Sequence, residues 1–88
     1  MWCVQIRRRM LRELERLPIT VQRKFAALKV NLESSGPVQP SWSNYSKSGE
    51  NNYHCHLTHH YVACWLVKSE TEMLLEVYYV GSRENAPY

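Results

Sequence analysis

Hydrophobic positions along the chain change period three times. Trp2, Val4 and Ile6 alternate with Cys3 and Gln5, the two-residue rhythm of a half-buried strand. From Arg8 onward the rhythm lengthens: Met10, Leu11, Leu14 and Leu17 fall on one face of a helix whose other face is charged. Pro18 ends that helix, and Thr20 is the expected N-cap of a second one. In the second helix Val21, Phe25, Leu28 and Leu32 recur at helical spacing until Gly36 and Pro37 stop it. Residues 35–44 are a Pro/Ser-rich connector. Alternation then returns, with Tyr53, Cys55 and Leu57 set against His54 and His56. Residues 61–67 are continuously apolar, as expected of a central strand buried on both faces. Residues 68–72 form a polar turn, and residues 73–80 are rich in β-branched and aromatic side chains. The order β-α-α-β-β-β predicts an α+β fold, with a helical hairpin packed on a curved, mostly antiparallel sheet.

Length confines this plan to a single domain over residues 1–88 with one modest core. A hydrophobic content of 44% and a charged content of 22% are those of a globular chain and argue against disorder. The net charge of +3 permits a polyanionic partner without requiring one. Its distribution is more informative, because eight of the eleven cations lie within the first 29 residues. Arg8, Arg9 and Arg12 of the first helix suit docking on RNA as a group, although each singly reads as a solvated side chain. No apolar run is long enough to span a bilayer, and the start lacks a signal-peptide layout, so a cytoplasmic chain is expected. Three cysteines at irregular spacing (Cys3, Cys55, Cys64) make no disulfide framework and read as reduced, mostly buried thiols.

Candidate chemistry concentrates in residues 54–60, which hold all four histidines: His54, His56, His59 and His60. His-x-His on a strand puts two imidazoles on one face, about 7 Å apart from the strand rise. A metal ion would need a third ligand from His59, His60 or Glu76, and neither a Cys-x-x-Cys pair nor a well-spaced carboxylate supports one, so no metal site and no cofactor are expected. The plain alternative is a solvated strand face followed by two polar turn residues. The third reading is a metal-independent RNA-cutting site. Cleavage at a ribose 2′-OH needs a base, an acid and a cation for the phosphorane charge, and imidazoles can serve as base and acid near neutrality. A cation and a phenol must then come from elsewhere.

The C-terminus offers both. Residues 77–88 read Val-Tyr-Tyr-Val-Gly-Ser-Arg-Glu-Asn-Ala-Pro-Tyr. A strand closing in Val-Gly-Ser-Arg with a tyrosine a few residues on resembles the end of RelE/ParE superfamily toxins, and the whole element order is similar to that family's. The resemblance implies a toxin of a type II toxin–antitoxin pair, specifically a RelE-like endoribonuclease that cuts mRNA in the ribosomal A site. It assigns Arg83 to the scissile phosphate and Tyr88 to the 2′-OH or to stacking on a base. His54 and His56 stand where the mRNA-cutting branch carries two basic residues. That branch often has a further arginine on the next strand, whereas here Val62 follows Tyr61; His60 or Lys47 is the expected substitute, and Lys47 and Lys68 are candidate phosphate contacts. An antitoxin, mRNA and ribosomal RNA are the implied partners. The alternatives are a ParE-like toxin that acts on DNA gyrase without cutting RNA, and a non-toxic module that binds its antitoxin alone.

Overall fold

The computed structural model describes residues 1–88. β1 (Cys3–Ile6) leads into α1 (Arg8–Arg16) and α2 (Ile19–Ser35), followed by β2 (Ser46–Ser48), β3 (Asn52–His56), β4 (Tyr61–Ser69) and β5 (Leu74–Ser82). A single 3₁₀ turn, Arg83–Asn85, ends the regular structure. The five strands form one sheet in the order β1-β5-β4-β3-β2, with β1 parallel to β5 and every other pair antiparallel. The expected α+β plan holds, with one strand more than the hydrophobic pattern showed. β2 is Ser-Lys-Ser and exposed at all three positions, so it had no apolar rhythm to reveal it. A short, polar, charged strand of this kind suits a sheet edge.

The core lies between the helices and one face of the sheet. Met10 of α1 and Val21, Phe25, Leu28 and Leu32 of α2 pack against Tyr53, Cys55, Ala63, Trp65, Val67, Leu75, Val77 and Val80. Leu11, read from the sequence as part of the first helix's apolar face, is instead 52% exposed. A nine-residue helix turns only a narrow stripe toward the sheet, and Met10, Leu14 and Leu17 fill it. Thr20 does not cap α2 either: Pro18 holds the N-cap position, and its carbonyl accepts from the Val21 and Gln22 amides. The fixed φ of proline presets this entry, and it drives Leu17 into the extended conformation that closes α1. The Gln22 amide then reaches back to the Leu17 carbonyl at 2.8 Å, satisfying one of the acceptors left at the end of α1. α2 stops at Gly36, whose φ of +86° and the Trp2 indole 2.7 Å from any added Cβ both require glycine.

The connector after α2 is tied down rather than loose. Trp65 is fully buried, stacks on Tyr53 at 6.1 Å and donates its indole N–H to the Pro37 carbonyl at 3.1 Å. The buried Gln39 amide donates to the carbonyls of Asn31 and Gly36. Further along, the His56 amide donates to the Ser43 carbonyl at 2.7 Å, so Ser43 and Asn44 are held beside the end of β3. No helix is long and apolar enough to cross a membrane.

Candidate active site on the open face

Strand alternation sends Tyr53 and Cys55 into the core and leaves His54 and His56 on the face the helices do not cover. Across the strand pair His54 stands opposite Cys64, and His56 opposite Val62. Both partners are fully buried although neither belongs to the core cluster. What covers this part of the face is the returning C-terminal segment: the Tyr88 ring lies flat on the His54 imidazole, with centroids 3.8 Å apart and planes 9° from parallel.

The Val-Gly-Ser-Arg motif builds the corner that makes this return. Tyr79 folds over Gly81, its hydroxyl 2.9 Å from where a Cβ would sit, and donates to the Ser82 carbonyl at 2.7 Å. The Ser82 hydroxyl accepts from the Glu84 amide and starts the 3₁₀ turn. The Arg83 amide donates to the His60 carbonyl at 2.8 Å, fastening the corner to the β3–β4 turn. Within β5 the pairing register slips, with Cys64 opposite Tyr79 but Trp65 opposite Val77. Tyr78 is the extra residue, and the bulge aims it toward the tail.

Two clefts result. The first, near 330 Å³, is lined by Ser48, Asn52, His54, Tyr78, Pro87 and Tyr88, with an edge of Tyr53. The second, near 420 Å³, is lined by Ser43, Asn44, His56, Thr58, His59 and Arg83, with Leu57 at its floor. The structure therefore brings His56 together with Arg83, and His54 together with Tyr88, as two neighbouring pairs rather than one cluster of four.

Arg83 carries the electrostatic weight of the second cleft. The chain's two ion pairs are Arg7–Glu76 and Lys29–Glu33, so no carboxylate neutralises the Arg83 guanidinium. Burial and the charges of Arg83 and His59 hold His56 below the usual histidine range. His54 is lowered as well, by burial first and then by His56. Burial raises the Tyr88 phenol, with Cys64 adding and Arg83 opposing. Burial also pushes the Cys55 and Cys64 thiols up to about 12, which leaves neither as a thiolate nucleophile.

The remaining candidates lie elsewhere. Lys47 pairs with Tyr53 and sets its ammonium 5.6 Å from that ring's centroid, on the face opposite the histidines. Lys68 is exposed, and its charge is felt at Glu76. Glu76 accepts from Arg7 at 2.8 Å, which lowers its pKa and commits the carboxylate once weighed as a metal ligand. No three His, Cys, Asp or Glu side chains converge as a metal-ligand set. Arg8, Arg9 and Arg12 form their own shallow basic surface on α1. His60 is exposed, and it meets Arg83 through its backbone. Residues that sequence reasoning left without a role, His59, Ser43, Asn44 and Thr58, line the Arg83 cleft. Of these His59 alone carried a signal, its place in the histidine cluster.

No family model and no curated protein matches the sequence. Among solved structures, the archaeal RelE–RelB complex from Pyrococcus horikoshii OT3 contains a chain that superposes with a TM-score of 0.75 at 17% identity. The match covers 97% of this chain and 98% of that one. A superposition of this quality over nearly the whole of both chains makes the fold of this chain RelE-like.

Proposed function

We propose that this chain is the toxin of a type II toxin–antitoxin pair and a metal-independent endoribonuclease that cuts mRNA in the ribosomal A site. The observation that carries the proposal is the unneutralised Arg83 guanidinium sharing an open cleft with the His56 imidazole. An unpaired arginine fork suits a phosphate, and it gains most as charge builds on the phosphorane. His56, kept neutral by burial and by its cationic neighbours, accepts the proton of the 2′-OH. The His54–Tyr88 pair flanks this position with a ring surface for the adjoining nucleotide and a phenol near the ribose. The basic surface of Arg8, Arg9 and Arg12 docks the body on ribosomal RNA. An antitoxin partner is expected, because the solved neighbour was captured as a RelE–RelB complex.

Growth and mRNA integrity after induction test this reading, comparing wild type with a His54→Ala/His56→Ala/Arg83→Ala triple variant. Arrest with codon-linked mRNA cuts that vanish in the variant is the expected result. Arrest that persists in the variant with intact mRNA overturns the nuclease and favours a gyrase-directed toxin. A soluble wild-type chain that arrests nothing identifies a module that only binds its antitoxin.

A further inference from the structure

We propose that His59, in the β3–β4 turn, is a catalytic residue of this site: the general acid that protonates the leaving 5′-oxygen, with His56 as its partner base. The inference rests on the ribonuclease reading and assigns a role that His54 would otherwise take. Three observations carry it.

The first is which side chains share a cleft. His56, His59 and Arg83 line one cavity, whereas His54 lines the other. His54 also has a ring face closed by Tyr88 at 3.8 Å, so it stands outside the space around Arg83. The second is how firmly the turn is held. The Leu57 and Thr58 amides both donate to the Tyr61 carbonyl, and the His60 amide donates to the Thr58 hydroxyl. The Arg83 amide bonds the His60 carbonyl, so the residue next to His59 fixes the turn and the arginine relative to one another. The third is the contrast between neighbours. His60 meets His59 edge-on, with centroids 4.8 Å apart, and does not line the cleft; its backbone carbonyl holds Arg83, whereas His59 is a lining residue. Burial first, then the charges of Arg83 and His59, hold His56 below the usual histidine range, which suits it to the base's part beside this turn.

The step balances without any further reactant. His56 takes the 2′-OH proton as the 2′-oxygen bonds to phosphorus, the P–O5′ bond breaks, and the His59 proton passes to the 5′-oxygen. The products are a 2′,3′-cyclic phosphate and a free 5′-OH, and solvent exchange resets both imidazoles.

The test is single-turnover cleavage by the full chain of mRNA on programmed ribosomes. It is run in parallel with the same mRNA carrying a bridging 5′-sulfur at the bond the wild type cuts, because a thiolate leaves without an acid. His59→Ala is expected to slow the oxygen substrate by about 10²- to 10⁴-fold, with the sulfur substrate restored to within about tenfold of wild type. His56→Ala should be slow on both, as befits a base. His59→Gln must repeat the pattern of His59→Ala, with a melting temperature matching wild type. A His59→Ala rate within about fivefold of wild type overturns the assignment alone, provided His56→Ala is slow. Equal slowing of both substrates by His59→Ala also overturns it. A wild-type chain that cuts neither substrate overturns the ribonuclease reading and this assignment together.

Discussion

Arg83 separates a functional from a structural role most sharply, because the fold asks little of its side chain. The guanidinium is exposed and makes no hydrogen bond or ion pair within the chain; the corner is built by backbone groups and by Tyr79 and Ser82. Arg83→Ala should therefore cost the fold no more than about 0.5 kcal/mol. For a domain of this size that is a shift of about 2–4 °C in melting temperature. Catalysis should suffer far more. Removing a preorganised donor aimed at transition-state charge costs about 2.7–4 kcal/mol, or about 10²- to 10³-fold, and the loss should fall mainly on kcat. Arg83→Lys keeps the charge and loses the planar fork, and is expected to lie between the two. Ribosome-programmed cleavage under single-turnover conditions, paired with thermal melts of the same preparations, measures both quantities. A variant that keeps more than about one fifth of wild-type activity refutes the phosphate role. A melting temperature more than about 8 °C lower refutes the claim that the side chain is structurally idle.

Other perturbations bear on other parts of the same argument. Trp65→Phe removes the bond to Pro37 and orphans a buried carbonyl. It should cost about 2–4 kcal/mol by urea titration, and a loss below about 1 kcal/mol would mean the connector is held without it. Gly81→Ala pushes a Cβ to 2.9 Å from the Tyr79 hydroxyl, and Tyr79→Phe removes that hydroxyl; both should lower cleavage more than stability, since both loosen the corner that aims Arg83. His54 and His56 titrate below the ordinary histidine value of 6.5 in the folded chain, so the unfolded chain binds protons first on acidification. Stability from this source is full above about pH 6.5 and falls below it, until the folded imidazoles protonate too. A urea midpoint that stays flat between pH 7.5 and 5.5, or one that rises toward acid, contradicts the sign. Replacing Arg8, Arg9 and Arg12 by glutamine should weaken ribosome binding and lower its log–log salt slope by about 2, and an unchanged slope would place the docking surface elsewhere.

Local rules carried the elements whose apolar positions face the core: both helices, β3 and the long β4 run are spelled out by Val21, Phe25, Leu28, Leu32, Tyr53, Cys55 and the residues after Tyr61. They failed where no burial imposes a pattern. β2 has no apolar residue, Leu11 is apolar but faces water, and the proline N-cap of α2 competes with Thr20 on backbone geometry alone. The site divides along the same line. Alternation about Cys55 was enough to put His54 and His56 on one face, because the strand period is a local property.

Their separation into two clefts depends on contacts between residues far apart in sequence, which no period encodes. Tyr88 returns over His54 because Gly81 admits the Tyr79 ring and the corner turns there; Arg83 lands beside His59 because its amide finds the His60 carbonyl. The same closure explains why the conspicuous His-x-His spacing does not set the chemistry by itself. A strand places the two imidazoles side by side, but the tail covers one and leaves the other beside a free arginine; on the proposed ribonuclease reading, the proton donor is then to be sought in the turn that the arginine's own amide fastens, whose His59 lines the same cleft.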